Sequence, residues 1–382
     1  MIIHALLTSL FFCFSCTAVI YYFYAVYAAY DFFTEPIADN SNFTPPLTIL
    51  KPLCGLDWQT YENLASFCLQ DYPKYQIVFS VSQSDDPVIE IVHKIEEDFP
   101  HLDLSLIVSD HCIGTNLKVS NLANGLNAAK YPILLLADSD IRVKSDYLKQ
   151  VVQPLENPQV ALVTCPYNSL VEGNMAIFEA LGISTQFNPK ILVARKLEGM
   201  TFALGSTIVI RSSVLEEIGG FQAMADYLSD DFHLGNLSYH LGYQVFLSRY
   251  IVAHVMANVK LTTLFDRQLR WAKGVKVERF WGYIGLIFTQ GTVTSLGFLF
   301  LTHFSIYGEL VFLITWLTRL SMAYIVGGIF FKDHLVKKYI FLVFLRDIFD
   351  FLIWILGFWD NTIQWRGKKF KLINKGQLIL VK

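Results

Sequence analysis

Charge is scarce in this sequence, and its absence is concentrated. Of 382 residues only 16% are Asp, Glu, Lys or Arg, against 53% hydrophobic, whereas soluble globular domains carry about 25% charged residues. No charged side chain occurs from Met1 to Tyr30; Tyr283 to Leu317 holds only Glu309, and Tyr339 to Trp359 holds only Arg346, Asp347 and Asp350. These deficits exclude a wholly soluble chain and read as membrane segments at both ends of one domain. The first of them lacks the basic start and small-x-small site of a cleaved signal peptide and outruns such a peptide's core. An uncleaved anchor is expected, with Tyr21, Tyr22, Tyr24, Tyr27 and Tyr30 suited to an interfacial belt.

Other absences narrow the function. No stripe of Lys and Arg with interleaved aromatics runs through 46–282, so a nucleic-acid partner is not expected. Cys13, Cys16, Cys54, Cys68, Cys112 and Cys165 show no metal-ligand spacing and read as reduced thiols in a domain facing the cytoplasm. No GxGxxG supports a dinucleotide fold, and no Gly-x-Ser-x-Gly or Cys–His arrangement suggests a covalent hydrolase. His233, His240 and His254 lack the spacing of a zinc site. Asn42-Phe43-Thr44 fits the glycosylation pattern, a short match that needs a lumenal setting.

What is present divides into five stretches: an anchor over 1–30, a linker over 31–46 whose polar part is Asp39 to Pro46, a catalytic domain over 47–282, membrane segments over 283–359 and a basic cytoplasmic tail over 360–382. Within the domain, apolar strand runs at Leu47–Pro52, Gln76–Val81, Leu104–Val108 and Ile133–Ala137 alternate with helical spacing over Thr60–Gln70, Val88–Asp98 and Lys118–Ala129. That alternation predicts an α/β fold with a mostly parallel central sheet, whose ligands bind beyond the carboxyl ends of the strands. The half from 151 onward is less regular. It offers strands at Val160–Cys165 and Val245–Leu247, an apolar stretch Ala203–Ile210 around Gly205-Ser206, and helices at Asn174–Gln186 and Asp231–Leu241.

Acidic pairs stand at two strand ends. Asp138 and Asp140, one residue apart, can share a divalent cation such as Mg²⁺ or Mn²⁺, which can bridge the phosphates of a nucleotide-sugar. A solvated turn is the bland alternative. Asp85 and Asp86 either hold a uracil and ribose or cap the following helix. Lys118 either offsets phosphate or carboxylate charge or is a solvated lysine at a helix start. Asp230 and Asp231 open a helix; one of them can act as a base toward an acceptor hydroxyl while the other caps. Arg267, Arg270 and Trp271 precede the membrane run, where the arginines can fork onto phosphate and Trp271 can wall an acceptor site, or all three can anchor at the interface.

Together the motifs resemble the family 2-type membrane glycosyltransferases, and within them the ceramide glucosyltransferase group and bacterial relatives associated with hopanoid biosynthesis. The resemblance covers Thr48 to Arg279. It is carried by Asp85-Asp86-Pro87, by Gly114-Thr115-Asn116-Leu117-Lys118-Val119-Ser120-Asn121-Leu122, by Asp138, by Asp231 and by Arg267-Gln268-Leu269-Arg270-Trp271. Trp365-Arg366-Gly367-Lys368-Lys369-Phe370 is similar to the basic-aromatic end of that group. Asp140 makes an Asp-x-Asp that ceramide-type members need not carry. The resemblance implies a GT-A-like fold, Asp231 as catalytic base, and donor contacts from Asp85, Asp86, Lys118, Asp138, Arg267, Arg270 and Trp271, with metal held by Asp138 and Asp140.

The reading that follows is an inverting, metal-dependent transfer of a hexose or N-acetylhexosamine from a UDP-sugar to a lipid hydroxyl. A ceramide-like sphingolipid is the expected acceptor, and a hopanoid-type lipid the variant within that class. A processive polysaccharide synthase and a nucleotide-sugar binder without turnover are the alternatives. The lipid is expected along Phe178 to Gly199 and the first membrane helix. An integral membrane location is expected, with the catalytic domain on the cytoplasmic side of a bacterial inner membrane or its equivalent. Lys332, Lys337 and Lys338 and the group Arg366, Lys368, Lys369 and Lys371 all favour that side, which makes 339–359 a re-entrant or interfacial segment.

Overall fold

Strands β1 (Leu47–Leu53), β2 (Tyr75–Val81), β3 (Asp103–Val108) and β4 (Ile133–Ala137) form where the sequence runs apolar between polar turns. The computed structural model, which describes residues 1–36 and 42–381, joins them in parallel in the order β3-β2-β1-β4. Residues 37–41 of the expected linker lie outside the described residues. The first helix is longer than the expected anchor, running Ile2–Thr34.

A two-residue strand β5 (Ile141–Arg142) follows, then β6 (Val160–Thr164), β7 (Tyr167–Val171), β8 (Thr207–Arg211), β9 (Gln244–Leu247) and β10 (Val252–Met256). The main sheet has seven strands in the order β3-β2-β1-β4-β8-β6-β9. Its one reversed member is β8, antiparallel to both β4 and β6. An apolar run announces a buried strand but carries no direction, so the sequence indicated β8 without its polarity. The remaining short strands form a second sheet, β5-β10-β7.

Alternate residues of each strand go to opposite faces. Leu50, Val78, Leu134, Leu136, Ile208 and Ile210 enter one core; Ile49, Ile77, Phe79, Leu135 and Val209 enter the other. The first core is continuous with Ala18, Tyr22, Ala25, Ala28, Ala29 and Phe32 of the N-terminal helix. Small residues there let neighbouring helices approach closely, so the α/β domain is fastened to the N-terminal helix by packing.

Two helices are long and apolar enough to cross a bilayer among the described residues, Ile2–Thr34 and Ile306–Phe330. The pair Phe280–Thr289 and Gly291–Leu301, bent by 58°, makes a third if it is one broken span. The helix Val343–Gly357 has only 15 residues and turns Arg346 and Asp347 inward. At about 1.5 Å per residue it falls short of the hydrocarbon thickness.

The chain end, read from its charges as a basic tail, folds as an antiparallel meander: β11 (Thr362–Trp365), β12 (Lys368–Ile373) and β13 (Gln377–Leu380). Lys368, Lys369 and Lys371 are exposed, while Phe370 and Leu372 turn inward to join Ile363 and Leu378 against Leu228 and Val277. Charge and apolar alternation coexist in one strand. The meander is stitched to the α/β domain where the Leu228 amide donates to the Gly376 carbonyl at 3.0 Å and the Leu378 amide donates to the Asp226 carbonyl at 2.7 Å.

Candidate active site

The C-terminal ends of β1, β2 and β4 lie side by side, because these strands pair in parallel and in register. Asp138 leaves the end of β4. Its carboxylate meets the Lys118 ammonium at 2.8 Å, and the same ammonium lies 3.3 Å from Asp230. Lys118 is placed by the start of the helix Leu117–Leu126, where the Asn116 side chain accepts from the Lys118 and Val119 amides. Asn116 is fully buried, and its amide group donates to the Tyr227 carbonyl at 2.9 Å. One asparagine therefore caps the lysine's helix and holds the segment that delivers Asp230 and Asp231.

Burial works against a charged Lys118, yet Asp138 and Asp230 outweigh it and keep the ammonium protonated. Burial pushes the Asp138 carboxyl up; Lys118 opposes that shift, and the neighbouring Asp140 adds to it. Asp140 meets His254 Nε2 at 3.1 Å, and the other ring nitrogen of His254 is buried without a partner among the described residues. Beneath the pair, fully buried Lys51 donates to the Asp138 carbonyl at 2.8 Å and lies 3.6 Å over the Phe67 ring. Burial brings its ammonium down to about 7.

Asp231 opens the helix Asp230–His240, with one oxygen accepting from the Phe232 amide at 2.8 Å. Burial, and then the charge of Asp230, push its carboxyl up to about 6. Its other oxygen occupies space that a side chain at 205 would claim: a Cβ on Gly205 would lie 2.8 Å from it. A side chain at 205, as in Gly205→Ala, would therefore displace the Asp231 carboxylate or the backbone beside it. Glu278 sits close by, its carboxyl pushed up to about 8 by burial and one oxygen left without a partner among the described residues.

The Arg-x-x-Arg-Trp segment lies on the helix Leu261–Glu278. Arg267 is ion-paired with fully buried Glu179. Arg270 lies 5.9 Å over the Trp365 ring. Burial, with the nearby charges of Arg267 and Arg366, lowers Arg270 to about 10. Three guanidinium groups thus gather where the meander's hairpin turn, Arg366-Gly367, meets this helix, and Arg270 has no ion pair among the described residues. Such a concentration of positive charge suits a phosphate-bearing ligand.

Not every expected residue joins this group. Asp85 is exposed on its turn. Asp86 is buried, accepting from the Gly55 amide at 2.8 Å and the Val88 amide at 3.0 Å, so in this conformation it caps a helix and ties it to the end of β1. Trp271 is exposed. Lys51, Glu179, His254 and Glu278 were not expected as site residues from sequence, and Asp230 only as the base or the cap beside Asp231. Adjacency to Asp231 pointed at Asp230; for the other four only the fold supplies the neighbour.

Comparison with known proteins identifies the family and the fold. The family model described as glycosyl transferase family 21 matches residues 10–378. Ceramide glucosyltransferase 3 of Caenorhabditis elegans is 27% identical over 379 residues, covering 95% of this chain and 80% of that protein. Ceramide glucosyltransferase 1 of the same organism is 26% identical over 374 residues, covering 94% and 78%. Among solved structures, a mannosyltransferase from Pyrobaculum calidifontis in complex with GDP-Man and Mn²⁺ aligns with a TM-score of 0.58 at 17% identity, over 92% of this chain and 99% of that one. That likeness identifies the fold as GT-A-like.

Proposed function

The chain belongs to glycosyl transferase family 21, and from that premise we propose that it moves a hexose or N-acetylhexosamine from a UDP-sugar to a lipid hydroxyl, with a ceramide-like sphingolipid as acceptor. The observation that carries the reading is the pairing of an anion site with a base. Arg267, Arg270 and Arg366 converge without a full complement of acids, while Asp231, raised toward neutrality, sits beside Lys118 and the Asp138 strand end.

In this reading Asp231 accepts the proton of the acceptor hydroxyl as its oxygen bonds to the anomeric carbon. The bond from that carbon to the diphosphate oxygen breaks on the opposite face, which inverts the configuration. The departing diphosphate carries the new charge, and Arg270, Arg366 and Lys118 stabilise it. Asp138 and Asp140, one residue apart at the strand end, offer the hard oxygen donors that suit a divalent cation; Lys118 and His254 now hold them, and no group of three ligating side chains stands there among the described residues, so substrate phosphates would have to complete the shell. Mg²⁺ is commonly held by one or two carboxylates with substrate phosphates completing its shell. When bound, Mg²⁺ or Mn²⁺ would supply Lewis-acid stabilisation of the diphosphate.

That donor set makes metal and nucleotide binding interdependent. Mn²⁺ should bind weakly alone and tighten when UDP is present, and Asp138→Asn should remove most of the dependence of UDP affinity on Mn²⁺. Titrating UDP at several Mn²⁺ concentrations measures both; an unchanged metal dependence in the variant rules the role out. Catalysis is tested by supplying the purified protein in lipid with a panel of UDP-sugars, Mg²⁺ or Mn²⁺, and ceramide, diacylglycerol, sterol or hopanoid acceptors. Absence of both UDP release and glycolipid across the panel refutes the reading. A polymer formed without added lipid points to a processive synthase.

The acceptor is proposed to lie along 178–199 and the N-terminal helix, which are joined by the Lys196–Asp31 pair at 2.6 Å and by Arg195 with Asp31 and Glu35. A cytoplasmic catalytic domain is proposed from the nucleotide-sugar supply and the free cysteines. The short helix Val343–Gly357 then lies in the interface or re-enters, which places both basic groups on one side. His334→Cys and Lys371→Cys, both at exposed positions, should be labelled from the same side in intact cells. Labelling from opposite sides defeats this topology.

A further inference from the structure

We infer that Glu179 is a positioning residue for the donor diphosphate: through Arg267 it sets the rotation of the helix Leu261–Glu278 so that Arg270 faces the site, and Arg346 secures the arrangement from the C-terminal membrane-side helix. The inference rests on the phosphate role proposed for Arg270.

Glu179 belongs to the helix Asn174–Gly182 and is fully buried, a setting in which a carboxylate requires partners. It has two, and they are consecutive residues of one helix. Arg267 forms the ion pair, and the Gln268 side-chain amide donates at 3.2 Å to the second carboxylate oxygen. Successive side chains leave an α-helix about 100° apart. A single carboxylate that engages both therefore fixes how far the helix is turned about its axis as well as where it sits. Arg270 follows Arg267 by three residues and projects from the same face. Whatever holds Arg267 consequently aims Arg270.

The grip extends to a third helix. The remaining polar atom of Gln268, its carbonyl oxygen, accepts from Arg346 at 2.9 Å. Arg346 is in turn held by both oxygens of Asp350, at 2.6 and 2.9 Å. Its guanidinium rests against the helix Asn174–Gly182 at Gly182, where a Cβ would lie 2.4 Å from Cζ. The absence of a side chain at 182 is thus what lets Arg346 reach Gln268. Arg267 Nε is buried without a partner among the described residues, so the arginine keeps a donor unused by this scaffold. Glu179, Gln268, Arg346 and Asp350 together lock three helices in one register, with the two site-facing arginines on the middle one.

The test compares UDP with uridine, which lacks the phosphates, on the full chain in lipid nanodiscs with Mn²⁺. For Glu179→Gln, UDP affinity should fall by ~10-fold or more, the scale of one charge-assisted hydrogen bond, and donor KM should rise with it. Uridine affinity and acceptor KM should stay at the parent values. Gly182→Ala, which displaces Arg346 without touching a charge, should give the same selective loss in weaker form, and Glu179→Asp should recover part of it. In an Arg267→Met background Glu179→Gln should add nothing further. Equal losses for UDP and uridine would mean a merely structural role and overturn the inference, as would undiminished UDP affinity. Arg270→Ala separates the two levels of argument. If it weakens UDP selectively while Glu179→Gln does not, only the positioning role falls; if it leaves UDP binding intact, the phosphate reading of Arg270 falls with it.

Discussion

Asp231→Asn is expected to lower kcat by about 10²–10⁴-fold, the usual consequence of losing a general base, while UDP-sugar affinity stays close to that of the parent. The amide keeps the shape and the contact with the Phe232 amide but cannot take a proton. In the parent, burial and Asp230 hold the Asp231 carboxyl at about 6. The base form is the deprotonated one, so the sign follows directly: kcat should be sustained above about pH 6 and decline as pH falls through it. The residual activity of Asp231→Asn should lack that acidic limb. Pre-steady-state transfer rates across pH 5 to 8 report both effects, and a variant with the parent's kcat would remove Asp231 from the role of base.

The largest effect on stability is expected inside the membrane portion. Arg319 and Asp347 are both buried, with guanidinium-to-carboxylate distances of 2.8 and 3.1 Å. Asp347 also accepts from Gln186 at 3.0 Å and from Thr292. Removing one member leaves the other charge enclosed without its counterion, which typically costs about 3–5 kcal/mol. Arg319→Met and Asp347→Leu should each lose stability on that scale, measured by chemical denaturation in detergent. The double variant should recover most of the loss, because it removes both desolvation costs together. Single variants within about 1 kcal/mol of the parent would show that the pair is effectively solvated and would contradict its burial.

The difference between these residues in the sequence is instructive. Asp231 was identifiable because it opens a helix after a turn and falls in a motif order shared with known transferases. Asp347 was visible as a charge inside an apolar run and was read as evidence about topology. Nothing near it in sequence indicated that its partner is Arg319, which comes from a different helix. Likewise the basic residues of 368–371 were legible as charge, while the inward turn of Phe370 and Leu372 depends on strands found only when the meander forms.

By itself the sequence determined the α/β domain, the apolar anchor, the acidic strand end and the helix that carries the two arginines. All of these follow from local periodicity, turn chemistry or motif, which act over a few residues. Tertiary structure decided the polarity of β8, the capping posture of Asp86, the gathering of Lys118 with Asp138 and Asp230, and the placing of Arg366 beside Arg270. It also brought Glu179 and Arg346 into contact with the helix Leu261–Glu278. Each of these depends on which surfaces meet after the sheet and membrane helices pack, and a buried charge finds its partner through that packing rather than through sequence spacing.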